Sequence, residues 1–239
     1  MGTRSGRRPR ALLLYGGAAL ILVLLVGVGV WLIRDPKDGP PVGDWSSAKD
    51  PVVPGKTSVS GNVVTLPDGT TVDAGQPIEV YVVGGAGVYF LPEDDDELHV
   101  VSVDGEVSTV GAHPYPDSLH VSPDGRHLAF LEADRMPWKL VVVDLVEGEE
   151  IVRSTDGMGH GVGLEELYAE LEPAVLGLTD STAYVLTIDD VVAVDLVSAD
   201  RSVVEDRAES VLGKPWYDEL AATEDVLGPQ RPPRSVPRT

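Results

Sequence analysis

Apolar positions fall into two regimes along the chain. Residues 11–33 form one uncharged block rich in Leu, Val and Ile, placed behind Arg4, Arg7, Arg8 and Arg10. From about residue 60 onward, apolar residues come instead in short, mostly valine runs punctuated by Gly, Pro and Asp. The first regime predicts a helix and the second predicts strands. As a helix at ~1.5 Å per residue, the 23-residue block reaches roughly 34 Å, enough to cross a hydrocarbon core of about 30 Å. Arginines in front of such a span hold the N-terminus on the cytoplasmic side, so the rest of the chain is expected outside the cytoplasm of a single-pass membrane protein. A cleaved signal peptide has a shorter apolar core of roughly 7–15 residues and a small-residue cleavage site. Here the late small pair, Gly27 and Gly29, is followed by more apolar residues up to Ile33, which favours a retained anchor.

The strand regime repeats. Three valine runs end in aspartate: Val101-Ser102-Val103-Asp104, Val141-Val142-Val143-Asp144 and Val192-Ala193-Val194-Asp195. Counted from the last valine of each, the spacings are 40 and 51 residues. Each run is preceded by two apolar segments and followed by a turn and a further strand, so each unit has four strands. The predicted units span 78–110, 118–153 and 174–205. Ahead of them, Val63 to Val72 reads as a hairpin around Pro67-Asp68-Gly69, because proline presets the turn and glycine accepts positive φ. The fold class is all-β. Four-stranded antiparallel units recurring every 40–50 residues or so are the pattern of a β-propeller.

The sharpest copy is Ser122-Pro123-Asp124-Gly125-Arg126-His127-Leu128-Ala129-Phe130. It resembles the WD40-like repeat of TolB-type propellers, where Ser-Pro-Asp-Gly turns between the two inner strands. The resemblance covers about residues 78–206; the other two units carry Gly84-Gly85-Ala86-Gly87 and Thr179-Asp180-Ser181-Thr182 at the equivalent turn. It implies a propeller that binds other proteins. Three blades fall short of the usual four to eight, so the expected fold is an incomplete or short propeller. Such a stack is open and capped by other segments, closed by self-association, or truncated. The rest of the plan is a basic tail at 1–10, a Pro/Gly/Ser-rich flexible linker at 34–61, and 207–239 as a weakly helical segment leading into a disordered Pro-rich tail.

Charge narrows the partners. Residues 38–239 carry 12 basic and 38 acidic side chains, a net charge of −26. That surface disfavours nucleic acid and anionic headgroups, since both need positive charge opposite phosphate. A low lysine share beside abundant Ala, Gly, Val, Asp and Arg matches a high-GC bacterial composition. The chain has no cysteine, which excludes disulfides, thiolate metal sites, cysteine nucleophiles and an acylated lipoprotein signal.

Strand alternation sends the unusual loops, 92–97, 111–117, 132–139 and 156–173, to one face. Tyr115, Trp138 and Tyr168 are its aromatic anchors, and Asp94, Asp95 and Asp96 its charged rim. The acidic run 93–97 lacks the glycine-punctuated spacing of a calcium loop and reads as a solvated loop. The glycines at 157, 159, 161 and 163 fit neither dinucleotide nor P-loop spacing. The histidines at 99, 113, 120, 127 and 160 form no His-Glu-x-x-His pair, and no Gly-x-Ser-x-Gly elbow exists. The reading is therefore a membrane-anchored, extracytoplasmic binding or scaffolding module, with a protein partner and without catalytic, metal or cofactor residues. One alternative is a cation-binding or cell-wall-polymer-processing domain using the acidic loops. Another is a degenerate propeller without activity of its own.

Overall fold

The computed structural model describes residues 41–48, 56–134, 137–158, 173–206, 218, 220 and 228–233. The expected span at 11–33 and Tyr168 lie outside them. Among the described residues no helix is long and apolar enough to cross a membrane.

Among the described residues fifteen strands build four antiparallel sheets, each a simple meander. The first has three strands, β1 (Ser58–Ser60), β2 (Val63–Thr65) and β3 (Thr71–Asp73). In its expected turn, Asp68 accepts the Thr70 N–H at 2.8 Å, and this bond, with the Thr70 hydroxyl, holds its carboxyl below the usual range. The other sheets have four strands each. One contains β4 (Ile78–Gly84), β5 (Gly87–Pro92), β6 (His99–Ser102) and β7 (Val107–Thr109). The next contains β8 (His120–Val121), β9 (His127–Glu132), β10 (Lys139–Asp144) and β11 (Glu149–Ser154). The last contains β12 (Ala174–Leu178), β13 (Thr182–Leu186), β14 (Asp190–Asp195) and β15 (Arg201–Asp206).

Period-2 alternation gives each of the two middle sheets two apolar faces, so the sheets stack. Val80, Val82, Tyr89 and Leu91 of the β4–β7 sheet meet Val121, Leu128, Phe130 and Val141 of the next in one core. The opposite side of β4–β7, with Tyr81, Val88 and Phe90, covers Val59 and Val64 of the three-stranded sheet. The opposite side of β8–β11, with Ala129, Leu131, Leu140 and Val142, packs on Val175, Val185 and Val194. Phe90, Leu128, Phe130 and Val185, expected in the core, are all fully buried. The first strands β4, β8 and β12 touch in chain order, which puts the start of every four-stranded sheet at one common edge.

The inner hairpin turns line up at that edge. In Ser122-Pro123-Asp124-Gly125, the Ser122 hydroxyl donates to Asp124 at 2.6 Å and accepts the His127 N–H at 2.8 Å, while Gly125 sits at φ 73°. The turn is also a bridge between sheets. Gly85 N–H donates to the Gly125 carbonyl at 2.7 Å, and Asp124 N–H donates to the Asp180 carboxylate at 3.1 Å.

The valine–aspartate repeat is real at two copies and shifted at the third. Asp144 and Asp195 each accept two backbone N–H groups of the turn that follows. Burial pushes the Asp144 carboxyl up, but Arg126 at 2.7 Å and the two N–H groups outweigh it and hold it below the ordinary range. Ser102, not Asp104, occupies the matching place. It pairs with Gly87 as Asp144 pairs with His127 and Asp195 with Thr182, and its hydroxyl accepts Glu106 N–H at 3.1 Å.

Two segments depart from expectation. Residues 42–48, expected within a flexible linker, form a strap across the seam between the β4–β7 and β8–β11 sheets. Asp44 N–H donates to the Val110 carbonyl at 2.7 Å, and Ala48 N–H to that of Leu145 at 3.2 Å. Between these anchors Trp45 enters the core, with ring centroids 5.9 Å from Phe130 and 6.4 Å from Tyr89. The buried Glu150 carboxylate fixes the strap. One oxygen accepts Val42 N–H at 2.7 Å and Trp45 Nε1–H at 3.1 Å, and the other accepts from the buried Arg153 guanidinium.

Residues 228–233, expected in a disordered tail, also lie against the sheets. Gln230 and Tyr81 exchange two backbone hydrogen bonds of 2.9 Å each, extending β4 on its free edge. Between β15 and that contact, Leu220 is buried against Gly177, where a Cβ would come within 2.7 Å of its Cδ1. Gly177 has φ 142° at a bulge in β12, so glycine is required there on both counts.

The interior also fixes an acid limit. His120 pairs with Ala129 and lies on the side of β8 that meets the last sheet, where burial lowers its pKa from 6.5 to about 4. The unfolded chain therefore binds a proton near pH 6.5 that the fold refuses until about pH 4. Stability is full above that window and falls as pH drops through it, by about 3 kcal/mol at one pKa unit per 1.36 kcal/mol. Urea titrations at successive pH values should show this fall, and His120→Leu should flatten it.

Candidate partner-binding face

The loops that leave the far ends of β5, β7 and β9 interlock, because each lends polar groups to its neighbour. Leu98 N–H donates to the Ala112 carbonyl at 2.7 Å, tying the 93–98 loop to the 110–115 segment. That segment runs on as a short pairing with the end of β9. Tyr115 N–H bonds the Leu131 carbonyl at 2.8 Å, and Ala133 N–H bonds that of His113 at 3.0 Å. Glu132 reaches back to accept His113 N–H at 3.1 Å. Burial raises the Glu132 carboxyl above the usual range, against the lowering effect of that hydrogen bond. The Pro116–Ser118 turn then leads into β8, with the Ser118 hydroxyl donating to the Tyr115 carbonyl at 2.7 Å.

On this frame Tyr115 and Trp138 stack, with centroids 5.3 Å apart and planes 25° apart. Both rings are half-buried; one side of the pair packs against the core between the last two sheets. The pairing is set by the frame: Lys139 pairs with Glu132, which brings residue 138 back to the end of β9, and residue 115 is bonded to residue 131 at that same end. Two aromatic residues expected to share a face thus meet directly. The third, Tyr168, is outside the described residues.

The acidic rim lies on the 93–98 loop. Asp94 and Asp96 are exposed and Asp95 partly so. Asp95 accepts the Glu97 N–H at 3.0 Å, and chiefly this bond, with His99 beside it, holds its carboxyl below the ordinary range. Asp96 lies 3.4 Å from His113 Nδ1. With Glu79, Leu91 and Pro116, the run 93–96 lines an open cleft of about 440 Å³. The same loop has a cluster that the sequence pattern did not isolate: Asp95, Glu97 and His99 place one ligand atom each within 4.8 Å of one another. Three donors, one of them nitrogen, fall short of the six to eight oxygens that calcium takes. Two of the three side chains are accounted for locally, since His99 Nε2 lies 3.3 Å from Asp95 and its ring stacks on Phe90 at 5.4 Å. Added calcium is accordingly expected to leave the melting temperature unchanged in a thermal scan.

The sequence placed His113 and Glu132 within the loops of this face without singling them out, and left Ser118 outside those loops. Their signal is weak, because each acts through backbone bonds to residues 3–19 positions away. The glycine run after residue 156 is described only to Met158, where the Gly157 carbonyl accepts Ile188 N–H at 3.0 Å and so ties this loop to the β13–β14 turn.

No family model and no curated protein matches the chain. Among solved structures, TolB from Acinetobacter baumannii is similar over 64% of this chain and 43% of its own, at 11% identity and a TM-score of 0.38. The chain thus spans less than half the length of that protein, and so loose a superposition fixes neither fold family nor activity.

Proposed function

We propose that the chain is a membrane-anchored, extracytoplasmic protein-binding module built on an incomplete propeller, without catalysis of its own. The observation that carries this reading is the stacked Tyr115–Trp138 pair, half-exposed on a frame of interlocked loops with an acidic rim beside it. Rigid aromatic side chains held in place by a scaffold are the usual centres of binding energy, and rim charges set the rate of encounter. The anchor rests on the apolar block 11–33 behind its arginines, and the propeller on three stacked four-stranded meanders whose first strands share an edge.

The test is capture of partners from detergent-solubilised membranes by the full chain. Trp138→Ala should weaken capture by about 1–3 kcal/mol. Replacing Asp94, Asp95 and Asp96 by Asn should mainly slow association and reduce its dependence on salt. Topology is tested separately: the protein should remain in the membrane after carbonate washing, and external protease should remove residues beyond about 38. A soluble mature form beginning near residue 30 would contradict the anchor.

A further inference from the structure

The free edge of β4 is already occupied. Gln230 is bridged to Tyr81, and the antiparallel sense of that bridge carries the next residue toward the start of β4. There Arg231 donates to Glu79 of β4 at 3.0 Å and to Asp117 of the Pro116–Ser118 turn at 2.8 Å, spanning two carboxylates from different elements. Glu79 is also a wall of the 440 Å³ acidic cleft, so the segment points along the edge at the rim of the proposed binding face. Its hold is short. Pro229 and Pro232 flank Gln230-Arg231, and proline has no N–H to offer a ladder, so only two residues can pair in succession. The flanking sequence, Pro232-Pro233-Arg234-Ser235-Val236-Pro237-Arg238, is basic, in a chain of net charge −21. An edge strand with unpaired backbone groups is a template for added strands, and main-chain bonds supply affinity while side-chain pockets supply specificity.

We propose that the β4 edge, with its Glu79–Asp117 clamp, is a docking slot for an extended arginine-bearing segment of a partner protein, and that residues 228–233 fill it as an intramolecular stand-in. This rests on the binding-module reading and adds the chemistry of the partner. The segment acts as a latch: a partner's cationic strand engages by displacing it, and the clamp selects arginine because one guanidinium satisfies two separated carboxylates.

The test uses full-length protein in detergent and a fluorescein-labelled peptide of residues 228–239. Gln230→Pro with Arg231→Glu removes the backbone donor and reverses the charge, which releases the latch. The released variant should bind the peptide at least tenfold more tightly than the unaltered chain, and adding Glu79→Gln and Asp117→Asn should abolish the gain. A peptide with its arginines changed to glutamate should not bind. Hydrogen exchange on the unaltered chain provides a second reading independent of the variant's folding: excess unlabelled peptide should speed exchange of the Gln230 amide while the Tyr81 amide stays protected. Equal binding by released and unaltered protein, or Gln230 exchange insensitive to peptide, would overturn the latch. Dimerisation through exchanged tails would also contradict it, since the occupant would then belong to a second copy. None of these outcomes decides whether Trp138 carries partner capture, so the two readings fail separately.

Discussion

Trp45→Ala should lower the unfolding free energy by about 3–5 kcal/mol, the range for removing a large buried aromatic side chain. Trp45 is 9% exposed, and its indole lies against both Tyr89 and Phe130 and gives its N–H to Glu150. Truncation opens a void at the seam of two sheets and takes a donor from a buried carboxylate. The strap loses its only aromatic foothold among the described residues, so Asp44 and Ala48 should lose their backbone bonds to Val110 and Leu145 more readily. A domain of this size has about 5–15 kcal/mol in total, so the variant should melt far below the unaltered protein. Trp45→Phe separates the causes: it keeps most of the packing and loses the Nε1–H, at a smaller cost of roughly 1–3 kcal/mol for the carboxylate's missing donor. Urea denaturation followed by tryptophan fluorescence and circular dichroism reads both.

Phe130→Ala should cost a similar ~3–5 kcal/mol by a different route. Phe130 has no exposed surface and sits in the middle of β9, paired with Val141, so the void forms inside a sheet stack with no strap to collapse into it. Because its ring meets that of Trp45 at 5.9 Å, the two losses should not add. A double-mutant cycle should return a coupling of about 0.5–3 kcal/mol, as for residues in contact. Independent losses would mean that the strap does not reach the core.

The three four-stranded sheets were legible because their physics is local. Valine alternation marks the strands, and Pro-Asp-Gly or Ser-Pro-Asp-Gly marks turns whose bonds close within two to five residues. The slip at Ser102 shows the limit of that reading. Val103-Asp104 imitates the aspartate-ended runs, but the hairpin closes at Ser102 because Gly105 N–H bonds the Ser102 carbonyl and Val103 N–H bonds that of Ala86. The strap and the latch were illegible for the opposite reason. Trp45 is surrounded by Gly, Asp, Ser and Lys, which reads as linker, and its partner Glu150 is 105 residues away. Arg231 sits among prolines, and its carboxylates are 152 and 114 residues away. Nothing periodic announces a single side chain that fits a distant seam. The loop face stood between these cases. Topology placed three of its four loops together, but the stacking of Tyr115 on Trp138 depends on the pairing of residue 115 with the end of β9, which no local pattern encodes.

Trp138 separates recognition from folding in a single protein, and capture and melting measured together on Trp138→Ala test the proposed function most directly. The ring is half-buried against Tyr115, so its loss should cost some stability, about 0.5–1.5 kcal/mol for the aromatic pair. In a chain of this size that is a shift of only a few degrees in melting temperature. Capture at a temperature where the variant is fully folded should nevertheless fall about 5- to 150-fold. Undiminished capture by the folded variant would contradict the account, and the aromatic face would then be no more than the outer edge of the core.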